Sequence, residues 1–329
     1  MNEYRNKKIL VAGAAGFVGV ALTKRLVEFG AEVRGTTYQR KSPLPIPGVE
    51  YIKVDLRKPE DCARAVKGMD YVFMAAANSS GAAVIDRTPL VHLTPNLVMN
   101  ALMLEAAYAS QVRKFCFISS NTVYPLTDYP VCESDVNNEF FEKYFIVGWM
   151  KRFSELMCEM YSTKIKAPME TIVVRPGNMY GPNDKYTLKD SKVIAALIRR
   201  AIEQDSPFKV WGDGMDIKDF LYIDDFIEGL LIAFQQFKGF EVVNIASGVP
   251  LSIRQAITAI LDEANYSDAE VTFDPSMPTM IPKRLINIDK AFKDFGWKPK
   301  IDFNEGIKRT VNWYREHYGD LTPENYDNQ

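Results

Sequence analysis

The sequence predicts an α/β fold: a doubly wound parallel sheet joined to a smaller, interleaved C-terminal α/β domain. Three observations carry that prediction. Short β-rich apolar runs alternate with helical patterns through the first half of the chain. The first run passes through a glycine-punctuated turn directly into a helix. The second half is less regular and has helices of its own.

Each element has a local reason. Lys8 to Ala12 is a compact apolar strand. Val18, Leu22, Leu26 and Phe29 then recur at helical spacing, and Gly30 is a natural stop. Strands follow at Glu32 to Thr37 and Glu50 to Asp55, a short helix at Asp61 to Lys67, and a strand at Tyr71 to Ala75. Asn96 to Ser110 is a strong helix, Lys114 to Ser119 a strand, Phe145 to Tyr161 a helix, and Glu170 to Val174 a strand. Such alternation implies right-handed crossovers with helices on both faces. Beyond it, helices are expected at Ser191 to Glu203, Phe226 to Gln236, Ser252 to Asn265 and Asn304 to His317. A loop is expected at Trp211 to Asp219 and a further strand at Val242 to Ala246. The sheet domain is expected to take residues 1–176 with about 215–247, and the smaller domain about 177–214 with 248–329.

Composition narrows the function classes. The chain has 329 residues, 47% apolar and 25% charged, enough for a sizeable core. Forty basic against 42 acidic residues leave a net charge of −2, so charge balance makes no case for a nucleic-acid partner. No apolar run approaches the roughly 18–20 residues of a membrane helix, and the polar start lacks a secretory pattern. Cys62, Cys116, Cys132 and Cys158 are scattered, without a CxxC pair, and read as reduced, mostly buried thiols. The expected location is cytoplasmic. With only His92 and His317, a histidine-rich metal site is ruled out, and no metal is expected.

The turn after the first strand reads Gly13-Ala-Ala-Gly16-Phe17-Val18-Gly19. One glycine suits a tight turn, one lets backbone approach a pyrophosphate, and one allows close helix–sheet packing. The helix start offers free N–H groups and partial positive charge to an anion.

The GxxGxxG spacing resembles that of the extended short-chain dehydrogenase/reductase family, also described as NAD-dependent epimerases/dehydratases. Further motifs extend the resemblance over nearly the whole chain: Ala75-Ala76-Ala77, Arg175-Pro176-Gly-Asn178-Met-Tyr180-Gly-Pro182, and Phe220-Leu-Tyr-Ile-Asp224-Asp225. The resemblance implies a Rossmann sheet and a nicotinamide dinucleotide held by the glycine loop. By the same resemblance Asp55, with Leu56 beside it, meets the adenine, and Ala75 to Ala77, Pro176 and Asn178 border the cofactor. Strand two ends Thr37-Tyr38-Gln39-Arg40-Lys41 with no acid. A carboxylate there would favour NAD; Thr37 takes its place, and Arg40 and Lys41 are either partners for a 2′-phosphate or solvated loop charges. The cofactor expected is NADP or NAD, with a lean to NADP.

The resemblance also implies a catalytic set: a hydroxyl at the end of strand five, here Ser120, and a tyrosine four residues before a lysine. Lys151 matches the lysine and is also expected to hold the nicotinamide ribose. Val147 stands where the tyrosine belongs, and valine carries no proton. Three readings stay open. Tyr144 substitutes, although it lies roughly 4.5 Å along the helix axis from position 147. Tyr124, Tyr180 or a water serves instead. Or redox turnover is slow or lost.

On the substrate side the local pattern resembles GDP-fucose synthase-like nucleotide-sugar enzymes. That resemblance implies that Val193, Arg200, Trp211, Lys218 and Arg284 face a nucleotide diphosphate and sugar, with Asn121, Thr122, Asn178 and Lys192 at the sugar. Thr122 and Lys192 occupy positions of a cysteine and a histidine that perform double epimerisation in such enzymes, so that reaction by the same means is not expected. Asn121-Thr122 also replaces the Asp-Glu pair of 4,6-dehydratases. The expected activity is NAD(P)-dependent oxidation, reduction or epimerisation around C4 of a GDP- or UDP-activated hexose, by a homodimer. The alternatives are a catalytically impaired scaffold or sensor that binds cofactor and nucleotide sugar, and a 4,6-dehydratase.

Overall fold

The structure is a computed structural model that describes residues 2–39, 46–78, 88–187, 191–277 and 279–318. The strands in chain order are β1 (Lys8–Ala12), β2 (Glu32–Thr37), β3 (Glu50–Lys53), β4 (Tyr71–Met74), β5 (Lys114–Ile118), β6 (Glu170–Pro176), β7 (Asn178–Tyr180), β8 (Phe208–Trp211), β9 (Ile217–Tyr222), β10 (Phe240–Ile245), β11 (Pro250–Ser252) and β12 (Val271–Asp274). The α-helices among the described residues are α1 (Phe17–Glu28), α2 (Pro59–Val66), α3 (Thr94–Ala109), α4 (Phe145–Thr163), α5 (Val193–Ile202), α6 (Ile223–Gln236), α7 (Ile253–Glu263), α8 (Asp289–Phe295) and α9 (Phe303–Tyr318).

Seven strands form one parallel sheet in the order β10-β6-β5-β4-β1-β2-β3. Its central strands are buried on both faces, which is why they read as unbroken apolar runs. Alternate side chains feed two cores. Ile9, Val11, Phe73 and Val174 pack toward α1 and α6. Leu10, Val72, Phe115 and Val173 pack toward α2, α3 and α4. Lys114 is buried at the start of β5 and donates to the carbonyl oxygens of Phe234, Gln235 and Phe237. It thereby satisfies acceptors that the end of α6 leaves open.

Direction changes at β1, which lies between β4 and β2, so the carboxyl ends of β1 and β4 flank the crevice where such sheets take ligands. Two small sheets sit over that end: β11-β9-β7, and β12-β8. No described helix is long and apolar enough to cross a membrane. Cys62, Cys116 and Cys158 are buried, Cys132 is half-buried, and all four are free thiols.

Several boundaries differ from expectation. β3 stops at Lys53, β4 at Met74 and β5 at Ile118; the next residue of each still donates one backbone hydrogen bond to the neighbouring strand and already lines the crevice. The expected loop at Trp211 to Asp219 is shorter: Trp211 closes β8, and β9 begins at Ile217 by pairing with β11. β7, β8, β9, β11, β12 and α8 were not anticipated.

Candidate active site

A cleft of about 1130 Å³ opens at the carboxyl ends of the strands, between the sheet and the smaller layer. Its floor begins at the glycine loop. Gly13 takes φ +82°, and a Cβ on it would come within 2.7 Å of the Ala76 backbone. Its N–H donates to Thr36 Oγ1 at 2.8 Å, which ties the loop to β2. A Cβ on Gly19 would come within 2.1 Å of the Gly13 carbonyl oxygen. Gly16 caps α1 with no side-chain hydrogen bond, so the first N–H groups of the helix stay open to an anion. Phe17 and Val18 line the cleft there. Bare backbone, a helix start and no carboxylate at the turn make a donor set that fits a dinucleotide pyrophosphate.

At the end of the cleft beside β2 and β3 the wall is Thr37, Tyr38, Asp55, Leu56 and Arg57. Asp55 is held by Arg57 through Nε at 2.8 Å and Nη2 at 2.7 Å. Those hydrogen bonds pull its carboxyl down to about 2. Asp55, expected to meet adenine, lines this wall, and its carboxylate also holds a neighbour that the sequence reading did not single out. Arg40 and Lys41 lie outside the described residues.

The centre of the cleft is built by the end of β5 and by α4. Ser120 Oγ accepts from Thr122 N at 3.2 Å and from Thr122 Oγ1 at 3.0 Å, which leaves the Ser120 proton to donate elsewhere. Lys151 Nζ donates to the Ile118 carbonyl at 2.8 Å and lies 4.9 Å from the centroid of the Phe117 ring. Burial pulls this ammonium down to about 8, although Glu155 pushes the other way. Val147, one turn earlier, lines the same wall. Tyr144 lines it too, but as the residue before α4 begins, and burial pushes its hydroxyl up to about 12. The two other tyrosines weighed from the sequence are engaged elsewhere. Tyr124 OH donates to Asn244 Oδ1 at 2.6 Å and accepts from Arg175 Nη1 at 3.0 Å; Tyr180 OH donates to the Phe303 carbonyl. Neither lines the cleft.

Beneath this wall lies a buried pair that the sequence reading missed. Glu155 receives Arg175 Nε at 2.9 Å and Nη2 at 2.7 Å, and Ser119 Oγ donates to it at 2.5 Å. The pair bolts α4 to β5 and β6, so it sets the separation of Lys151 from Ser120. The signal was present: Glu155 sits one turn after Lys151, and Arg175 opens the Arg-Pro motif.

The far end widens under α5, β8 and β9. Asn121, Thr122, Pro176 and Asn178 border it, and Asn121 Nδ2 donates to the Pro176 carbonyl. Lys192 Nζ is 3.5 Å from buried Asp184 and 4.6 Å from the centroid of the Phe17 ring, so it spans both halves of the cleft. Val193 and Trp211 line it and are exposed. The cations are less free than expected. Arg200 is held by Asp205 and the Lys209 carbonyl, and Lys218 by Asp216 and the Ile281 carbonyl. Arg284 donates both Nη groups to the carbonyls of Tyr124 and Pro125, and its Nε alone is without a partner. Among the described residues, every expected site residue lines this one cleft except Gly19, which packs beneath the loop.

Comparison with known proteins agrees with this geometry. The model of the NAD dependent epimerase/dehydratase family matches residues 9–246. A putative GDP-L-fucose synthase 2 of Arabidopsis thaliana is 28% identical over 327 residues, covering 95% of this chain and 93% of that protein. GDP-mannose 3,5-epimerase 1 of Oryza sativa subsp. japonica is 28% identical over 319 residues, covering 94% and 82%. The solved structure of a Thermotoga maritima UDP-glucose 4-epimerase with UDP-glucose superposes with a TM-score of 0.85 at 25% identity, covering 94% and 99%.

Proposed function

The chain belongs to the NAD-dependent epimerase/dehydratase family, and on that premise we propose that it is an NAD(P)-dependent oxidoreductase or epimerase acting around C4 of a GDP- or UDP-activated hexose. One observation carries the reading: a single cleft runs from the glycine loop, past Ser120 and Lys151, to Trp211 and Lys218. It has a place for a dinucleotide and a second, wider place for a nucleotide sugar.

A nicotinamide ring bound beside Lys151 supplies the hydride chemistry. The chain's own residues handle the proton. Ser120, with its oxygen already accepting from Thr122, is oriented to donate to a sugar oxygen. Of the two titratable groups on this wall, Lys151 is the better base. An amine at about 8 is neutral in about one molecule in ten at pH 7. A phenol at about 12 is ionised in about one in 10⁵. We therefore assign proton transfer to Lys151 rather than Tyr144. Asn121-Thr122 offers no carboxyl pair, which argues against 4,6-dehydration. Lys192, Arg200, Trp211, Lys218 and Arg284 are assigned to the sugar nucleotide. The protein is further proposed to act as a homodimer in the cytoplasm.

Val147 favours a second reading, a homologue that binds cofactor and nucleotide sugar without turnover. Incubation with NAD or NADP and a panel of GDP- and UDP-hexoses separates the two. A 4-keto or 4-epimeric product supports the enzyme. Binding of both ligands by calorimetry without product supports the second reading, and binding of neither removes both.

A further inference from the structure

We propose that Asp219 is a positioning residue for the substrate side of the cleft: its buried carboxylate ties together two places where the chain passes from the large sheet to the three-stranded sheet, and so fixes the wall that carries Lys218 and Phe220. The proposal rests on the reading of that side as the place of a nucleotide sugar and adds what holds it in register.

β6 and β10 are neighbours at one edge of the large sheet, and each runs on into a strand of the smaller one. β6 passes through Gly177 into β7, and β10 passes through residues 246–249 into β11. Between β7 and β11 lies β9, where Asp219 stands opposite Pro250 and one residue before the Asn178–Phe220 pair. Asp219 Oδ1 accepts from Ser247 N at 2.7 Å, and Oδ2 accepts from Gly248 N at 2.8 Å. At the other crossing, a Cβ on Gly177 would come within 2.6 Å of the same Oδ1. The carboxylate therefore fills the space that glycine leaves at one crossing and holds the backbone of the other.

Asp219 is 1% exposed, and among the described residues no cation is paired with it; its neighbour Lys218 is held by Asp216 and the Ile281 carbonyl. Burial pushes the Asp219 carboxyl up to about 6, against the pull of the two backbone N–H groups. A buried acid without a cation is a costly way to stabilise a turn. What it fixes lies on the other face of the strand: Lys218 and Phe220 line the cleft, and Asp219 does not. β9 also exchanges backbone hydrogen bonds with the segment that carries Arg284, since Ile217 N donates to the Pro282 carbonyl and Arg284 N to the Ile217 carbonyl. Asp219 thus acts on a ligand only through these residues.

Two measurements on the full chain test this. Hydrogen exchange of the free chain reads the tie without any ligand. Asp219→Ala is expected to speed exchange at residues 246–249 by at least about tenfold and to leave β1 and β4 unchanged. Calorimetry with GDP-mannose, UDP-glucose, NAD⁺ and NADP⁺ reads its purpose. The same variant is expected to weaken whichever sugar nucleotide binds by at least about tenfold, and the dinucleotide by less than about threefold. Asp219→Asn keeps one acceptor and is expected to fall between the native chain and Asp219→Ala in both readouts; it carries the test alone if the alanine variant does not fold. Unchanged exchange at residues 246–249 in every variant that folds overturns the proposal. So does equal weakening of sugar nucleotide and dinucleotide, since Asp219 then only stabilises the fold. A native chain that binds a dinucleotide but neither sugar nucleotide removes the reading of the substrate side, and the positioning role with it, whatever the exchange shows.

Discussion

Val147 decides what chemistry is open to this chain. A phenol at that position would have its pKa lowered by the lysine one turn on; with valine there, the lysine is the proposed proton carrier. Burial against Phe117 and the β5 backbone makes Lys151 acidic enough to serve, at about 8. The sign of the pH dependence follows. In the oxidative direction the neutral amine must accept the proton, so kcat/KM is expected to rise with pH through about 8. In the reductive direction the ammonium donates, and the rate is expected to fall above it. Lys151→Met is expected to cost about 10²–10⁴-fold in kcat, and Lys151→Arg as much, because a guanidinium keeps the charge but does not titrate. A pH–rate profile flat between 7 and 9, or an active Lys151→Met chain, would sink the assignment.

At the scale of elements, the β1–loop–α1 unit is held by approaches that only glycine allows. A Cβ on Gly19 would meet the Gly13 carbonyl oxygen at 2.1 Å and Ala14 Cα at 2.8 Å, both backbone atoms with nowhere to go. Gly19→Ala is therefore expected to shift α1 away from the loop. The cost is about 1–3 kcal/mol of stability and at least about tenfold in dinucleotide affinity. Gly16→Ala, whose nearest neighbour lies at 3.2 Å, is expected to cost less. Thermal unfolding and cofactor titration of the two variants check both, and a native-like Gly19→Ala would show that the close approach is dispensable. This unit was legible in the sequence because strand, glycine spacing and helical period all agree over one short stretch. The seven-stranded sheet was legible for the same kind of reason: strands buried on both faces carry apolar runs. β7, β11 and β12 were not, because strands of three or four half-buried residues such as Asn178–Tyr180 and Val271–Asp274 carry no such run. Their pairing is decided by distant partners. Motif spacing pointed to residues that line one cleft, but not to which neighbours restrain them. The pinning of Arg284 comes from side-chain packing that no local pattern encodes, whereas the hold of Arg57 on Asp55 is a contact two residues apart that the sequence reading passed over.

For the whole molecule, the two faces of the sheet are finished differently. α1 and α6 are covered on the side where the smaller layer joins the same core. On the other face α3 and α4 lie side by side, and α4 turns an apolar stripe outward. Phe145, Trp149, Phe153 and Met160 follow one helical face and are 53%, 38%, 48% and 49% exposed. Val147 and Lys151 point from the same helix into the cleft. Isolated exposed apolar residues need no explanation, but a stripe of large side chains over four turns of one helix does. The proposed second copy of the chain, related by a two-fold axis, would bury such a stripe against itself and extend the helix pair into a four-helix contact. Trp149→Glu combined with Phe153→Glu is expected to turn a native dimer into a monomer, read as a halved mass in light scattering. Like charges would then meet across the axis in a dry interface. Because these side chains point away from the cleft, cofactor affinity is expected to stay within about twofold. A native chain that is monomeric at micromolar concentration, or a double variant that stays dimeric, would show that the stripe serves something other than self-association.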